Sequence, residues 1–461
     1  MSDYSIHSQK MALPGGIRDA TVVIQDGRIR GIEEGFAREA GGEVLDVGEK
    51  MVMPGVIDPH VHVNEPGRTD WEGFDTATRS ALAGGLTTLV DMPLNADPVT
   101  TTVEALDKKL LSTVGKLHCN CGFWGGVVPG NEQEIGPLIA RGVLGFKAFL
   151  THSGIDTFPN VTEADLRKVM PLIAGAGLPL LVHCEWERGP GADSDERSRS
   201  GSEAGWAGAA GADPRSYRNY LSSRPRVWEE DAIALMIRLC DEYRCRTHIV
   251  HLSSAGGIEL IRRAKEKGLP LTAETGPHYL YFAAEDIKDG ATAFKCAPPI
   301  RERGNNDRLW EALREGVIDF VATDHSPAPP IMKELESGDF KKAWGGISSL
   351  QLVLSVLWSV ARSKGGRPDD LVKWLCESPA ALIGQSGRRG GISRGAMADL
   401  VVWDPSRSFL VTEDGLFHKH KTTPYLGERL FGVVEQTWLR GEKVYEEGVF
   451  KKLSQGEIIY A

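Results

Sequence analysis

Met53-Pro-Gly-Val-Ile-Asp-Pro-His-Val-His-Val-Asn64 opens with a turn signal, Pro54-Gly55, and runs on as a short apolar segment carrying two histidines one residue apart. In a strand, residues i and i+2 project to the same face, so His60 and His62 point together. Two neutral imidazoles held this way can grip a metal ion from one side, although a bare His-x-His is as readily a surface strand. The choice depends on whether other histidines and carboxylates arrive at the same place.

Upstream, the chain reads as short strands joined by tight turns. Ala20–Ile24 leads through Asp26-Gly27, a hairpin signal, into Arg28–Ile32, and Glu43–Val47 and Met51–Met53 follow. Downstream the pattern changes to apolar runs alternating with helix-like stretches. After the run ending at His60 and His62 come Leu86–Met92, Asn120–Trp124, Gly145–Leu150, Leu178–His183, Arg246–His251, Pro270–Glu274 and Asp319–Asp324. Helical patterns such as Thr162–Gly175, Glu229–Tyr243 and Gly257–Lys267 lie between them. Eight strands separated by helices predict a (β/α)8 barrel over residues 55–385. Beyond residue 386 short strands return, in Gly391–Asp404 and in Gly432–Tyr445 around Arg440-Gly441. Each end alone is too small for a stable core, so residues 1–54 and 386–461 are expected to combine into one small β-sandwich domain. Gly189–Pro214, rich in Gly, Ala, Ser, Asp and Glu, reads as an exposed loop after the fifth strand, either a lid or an idle insertion.

The 461-residue chain is 41% hydrophobic and 25% charged, ordinary for a soluble globular protein. A formal net charge of −10 argues against nucleic acid or an anionic membrane as the main partner. No apolar run reaches a membrane-helix length, and Met1–His7 lacks a signal-peptide pattern. Seven cysteines without zinc-finger spacing suggest reduced thiols in a cytoplasmic protein, and Cys119-x-Cys121 reads as part of a buried strand.

In such a barrel the chemistry sits at the C-terminal strand ends. His60 and His62 end strand 1, Lys147 lies in strand 4, His183 ends strand 5, His251 strand 6 and Asp324 strand 8. Four histidines and an aspartate converging on one mouth are hard to explain as core filler. Lys147 interrupts a run that otherwise wants burial, so either its amine reaches the mouth or it is converted to a carbamate. By strand alternation His248 and His325 face away from this mouth, while His278, beyond strand 7, is placed to border it.

The ordered set His60-x-His62, Lys147, His183, His251, Asp324 resembles the binuclear cyclic amidohydrolases, which include dihydroorotases, hydantoinases, dihydropyrimidinases and allantoinases. The resemblance implies that His60, His62 and Asp324 hold one divalent ion and that His183 and His251 hold a second, with carboxylated Lys147 bridging the two. Zinc is the first expectation, and manganese, cobalt or iron accept the same ligands. It also implies a homotetramer that opens a cyclic amide by hydrolysis, with Asp324 carrying the proton. His60–Phe74, Asp91–Asn95, Lys295–Arg301 and Lys342–Gly346 are most similar to the allantoinase branch, which points to allantoin as the substrate. Dihydroorotases usually have arginine where this chain has Asn64, and hydantoinases commonly have tyrosine where it has His152. Asn95, Ala297 and Gly345 are the expected ring-aligning groups. The alternatives are a hydantoinase or dihydropyrimidinase, and a non-catalytic scaffold, which retention of all six positions disfavours.

Overall fold

The computed structural model describes residues 4–37, 43–187 and 212–461. Five strands precede the barrel: β1 (Tyr4–Leu13), β2 (Gly16–Gln25), β3 (Arg28–Glu34), β4 (Glu43–Asp46) and β5 (Met51–Pro54). The barrel strands are β6 (Val56–Val61), β7 (Leu86–Asp91), β8 (Asn120–Phe123) with its continuation β9 (Gly125–Gly126), and β10 (Phe146–Phe149). They continue with β11 (Pro179–His183), β12 (Arg246–Ile249), β13 (Leu271–Thr275) and β14 (Phe320–Val321). After the barrel come β15 (Leu400–Leu410), β16 (Arg429–Leu439), β17 (Glu442–Glu446), β18 (Val449–Phe450) and β19 (Ile458–Ile459).

The strands β6 to β14 pair in parallel and in sequence order, and a bridge from Val61 to His325 closes strand 8 onto strand 1. β6, β7, β8, β10 and β11 are buried throughout, as expected where helices cover one face of a parallel sheet and side chains fill the other. Trp124 marks the kink between β8 and β9, and its indole donates inward to Pro59 O at 2.8 Å. The helices form where the periodicity places them. Glu163–Gly175 starts with a capping box, in which Thr162 Oγ1 accepts from Asp165 N and Asp165 Oδ2 accepts from Thr162 N. Arg226–Tyr243 begins before the expected Glu229, because Pro225 provides an extended entry to the first turn. No helix among the described residues is long and apolar enough to cross a membrane.

The end strands form one mixed sheet ordered β18-β17-β16-β15-β5-β1-β2-β3, with β4 also paired to β1. Its first strand, Tyr4–Leu13, is an addition to the sequence reading. Side-chain alternation along β15 explains the packing. Leu400 and Val402 join Ile6, Val22, Ile29, Val52 and Trp438 in a core of the sheet's own, whereas Val401 and Trp403 belong to the barrel core. The sheet curls, so Tyr4 on β1 meets Trp438 on β16 with ring centroids 5.5 Å apart. β5 passes through Gly55 straight into β6, so this one stretch is both a strand of the terminal sheet and the start of the barrel. β19 leaves the terminal sheet and adds in parallel to β8. Cys119 and Cys121 are buried at the start of β8, and all seven cysteines are free. The proposed lid or insertion at 189–214 lies outside the described residues except for Ala212–Pro214.

Candidate metal centre

The expected strand ends need one correction. β12 stops at Ile249 and β14 at Val321, so His251 and Asp324 sit in the loops just beyond their strands. Both are in left-handed backbone conformations, with φ of 39° and 46°. Non-glycine residues rarely adopt this conformation unless the surroundings impose it, and such strain concentrates at functional positions. The same turn breaks strand alternation, so the prediction that His248 packs outside fails. His248 is fully buried, donates to Glu274 Oε2 at 3.1 Å and stacks on Phe320. His325 does face away from the cluster, with Nδ1 accepting from Ser349 N and Leu350 N. His278 is buried with neither ring nitrogen hydrogen-bonded.

Six of the predicted positions draw together. His60 Nε2 lies 3.2 Å and His62 Nε2 3.4 Å from Asp324 Oδ1. One ligand atom from each of the three fits within 4.8 Å of the others. The chain of rings continues from His60 to His251, with centroids 5.4 Å apart, and on to His183, 4.6 Å from His251. Lys147 joins them through Phe149, whose ring stacks on His183 with centroids 4.6 Å apart and lies 5.0 Å from the Lys147 amine.

Supporting groups set the tautomers. His60 Nδ1–H donates to the Glu274 carboxylate, leaving Nε2 as the basic nitrogen toward Asp324. His183 Nε2–H donates to Glu185 Oε2 at 2.8 Å, and Arg224 holds Glu185 in turn, so Nδ1 is the lone-pair atom of His183. His251 Nδ1 is buried and without a hydrogen-bond partner. Asn95 Nδ2 lies 3.3 Å from His62 Nδ1, and Asn95 Oδ1 is unpartnered. With the amide turned over, His62 Nδ1–H donates to Oδ1 and Nε2 is freed, matching the pattern at His60. The sequence reading gives Glu274 and Glu185 no role, though each has a signal. Glu274 ends an apolar run as its one acid, and Glu185 follows His183 by two.

Burial depresses the basicity of His62 and His183, and, with the His183 and Lys147 charges, that of His251. All three therefore stay neutral, the form that ligates metals. At His60 burial works the same way, but Glu274 and Asp324 outweigh it and raise the imidazole to about 9. Burial opposes the charge on Asp324, yet His60 and His62 hold it well below the usual carboxylate range. Lys147 Nζ is wholly buried and unpartnered, and burial lowers it to about 8. Three neutral imidazoles, an ionised carboxylate against His60 and a buried amine without a hydrogen-bond partner suit a bound divalent cation, which would displace the proton of His60.

The group opens into a cavity of about 320 Å³, lined by His60, His62, His183, His251 and Asp324 and also by Asn95, Ala297 and Gly345. Asn95 is 4% exposed and sits against His62, so it touches a candidate ligand as well as the cavity. His152 lines the cavity too.

Comparisons with known proteins agree with this geometry. The model of the Amidohydrolase family matches residues 51–444. An allantoinase of Streptomyces avermitilis is 44% identical over 98% of this chain and 97% of its own length. An allantoinase of Saccharomyces cerevisiae is 40% identical, covering 96% of this chain and 95% of its own. The solved structure of an L-hydantoinase (dihydropyrimidinase) from Arthrobacter aurescens superposes with a TM-score of 0.93 at 30% identity, covering 100% of both chains. From its strand order to its histidines, the chain belongs to the amidohydrolase family.

Proposed function

We propose that this protein hydrolyses allantoin, adding water across one ring amide to give allantoate. The observation that carries the reading is the convergence of His60, His62, His183, His251 and Asp324 on one cavity of about 320 Å³, with the buried Lys147 amine 5.0 Å from the Phe149 ring that stacks on His183. Relatives called allantoinases, 37–44% identical over most of the chain, support this choice of ring.

His60, His62 and Asp324 would hold one divalent ion and His183 and His251 a second, with Lys147 bridging as its carbamate. Zinc is our first choice, and manganese, cobalt or iron suit the same donors. Such ions, when bound, supply Lewis acidity that brings a water pKa from about 15.7 toward about 7 and polarises a carbonyl. An amine with a pKa near 8 has an appreciable uncharged fraction at neutral pH, and that is the form that adds carbon dioxide. The addition forms an N–C bond, releases the amine proton and leaves an anion where an unpartnered cation stood.

The other steps belong to the chain. Asp324, ionised and at the cavity wall, takes the proton from the attacking water and passes it to the departing ring nitrogen. Asn95, Ala297 and Gly345 align the ring. Seven free, buried cysteines support a reducing, cytoplasmic setting. We also propose a homotetramer, checked by light scattering.

The fold similarity to a hydantoinase favours one rival, a related cyclic amide. A panel of allantoin, hydantoin, dihydrouracil and dihydroorotate, assayed with metal-loaded protein, separates the readings. Allantoin is expected to give the highest kcat/KM, and inactivity on it with turnover of hydantoin would reverse the assignment.

A further inference from the structure

Lys333 is buried, and its ammonium donates to three main-chain carbonyls: Lys295 O at 3.3 Å, Trp344 O at 3.0 Å and Gly346 O at 2.8 Å. An ammonium sunk in the protein and held only by neutral acceptors is costly, so its presence calls for a reason. These carbonyls belong to two separate segments of the cavity wall, around Lys295–Ala297 and Lys341–Gly346. Lys295 reinforces the joint, since its Nζ donates to Ala343 O at 2.5 Å while its own carbonyl accepts from Gly346 N at 2.8 Å.

With the carbonyls fastened on one side, two amides are left over on the other. Ala297 and Gly345 line the cavity, and the main-chain N–H of neither donates to another group among the described residues. They are neighbours, because a Cβ built on Gly345 would stand 3.9 Å from Ala297 N. Main-chain donors are rarely left unspent, and two side by side at a cavity wall suit one ligand oxygen. We infer that Lys333 is a positioning residue for substrate. By fastening three carbonyls, it sets the Ala297 and Gly345 amides as a paired donor for one ring carbonyl oxygen. The inference rests on the proposed function, and it accounts for a lysine that touches neither metal ligands nor substrate.

Lys333→Met keeps the stem and removes all three donors. In metal-loaded full-length protein, KM for allantoin should rise about tenfold, roughly the loss of one hydrogen bond to substrate. Bound metal should be unchanged and kcat should stay within about threefold, because the loss is of uniform binding. Lys333→Gln, which retains a donor amide, should recover part of the loss. Gly345→Ala meets only ordinary contacts and needs no left-handed backbone, so it folds, yet its methyl stands in front of Ala297 N. Its KM should rise with an unaltered melting temperature. Should Lys333→Met fail to fold, Lys333→Gln and Gly345→Ala decide the question. Unchanged KM in the folded variants overturns the inference, as does a fall in kcat and metal content at constant KM. Wild-type protein inactive on allantoin overturns the proposed function instead, and KM is then read with whichever cyclic amide of the panel is turned over.

Discussion

The metal pole of the cavity and its ring-aligning wall are made of different material. At the pole, side chains from five barrel segments meet, and two of the candidate ligands are steered by carboxylates, Glu274 for His60 and Glu185 for His183. The wall around 295–297 and 341–346 presents main-chain amides, steered by lysines that grip carbonyls. The pole therefore depends on which residues are present, and the wall on where the backbone runs. Substitutions at the pole should abolish chemistry while the fold survives, whereas those in the wall should change binding or stability first.

The strongest break would come at the pole. Asp324→Asn should lower kcat by about 10²- to 10⁴-fold with little change in melting temperature, the range for losing a proton-transfer group. A steady-state loss below tenfold would remove Asp324 from that role. Lys147→Ala should release most bound metal, measured by elemental analysis, and full metal occupancy would exclude the bridging carbamate. Glu274→Gln should weaken metal affinity by about 10- to 100-fold in competition with a chromogenic chelator, because the His60 tautomer loses its anchor.

Smaller effects should come from the wall and from outside the cavity. Gly346 has a φ of +148°, and a Cβ there would fall 2.3 Å from Ser326 O. Gly346→Ala should therefore cost about 1–3 kcal/mol in denaturant unfolding. A result below 0.3 kcal/mol on that scale would mean that the wall yields easily. The smallest effect is a control from the terminal sheet, where His7 bonds Asp46 and Asp19 at 2.8 and 2.9 Å. Burial disfavours its charge, but the two carboxylates prevail and raise its pKa. Such stabilisation is complete below the ordinary value of 6.5 and is lost as pH rises through the raised folded value. His7→Gln should thus cost less than about 1 kcal/mol at pH 6 and less still at pH 9, since both partners are half exposed, with kcat/KM unmoved. A change in kcat/KM would show that the terminal sheet reaches the cavity.

The pole was legible in the sequence because metal-ligating chemistry is carried by particular side chains, and parallel strands buried on both faces read as apolar runs. Their ends were not legible. The left-handed turns at His251 and Asp324 follow from tertiary constraint, and they mislead any argument from alternation, as at His248. Tyr4–Leu13 escaped for another reason, since Ser5, His7 and Ser8 are buried polar residues that blur its pattern. The wall hides most deeply. Ala297 and Gly345 were suggested only by resemblance, because an unspent amide leaves no mark on residue identity. Lys333 reads as one surface lysine among many until its three carbonyls are seen.

The passage of β5 straight into β6 also bears on synthesis. Met51–Pro54 pairs with Trp403–Leu400, so one edge of the early strands waits until the whole barrel has left the ribosome. An unpaired edge held open that long is an invitation to other nascent chains. Slowed translation within the barrel should therefore lower the soluble yield of this protein more than the same delay placed after residue 410.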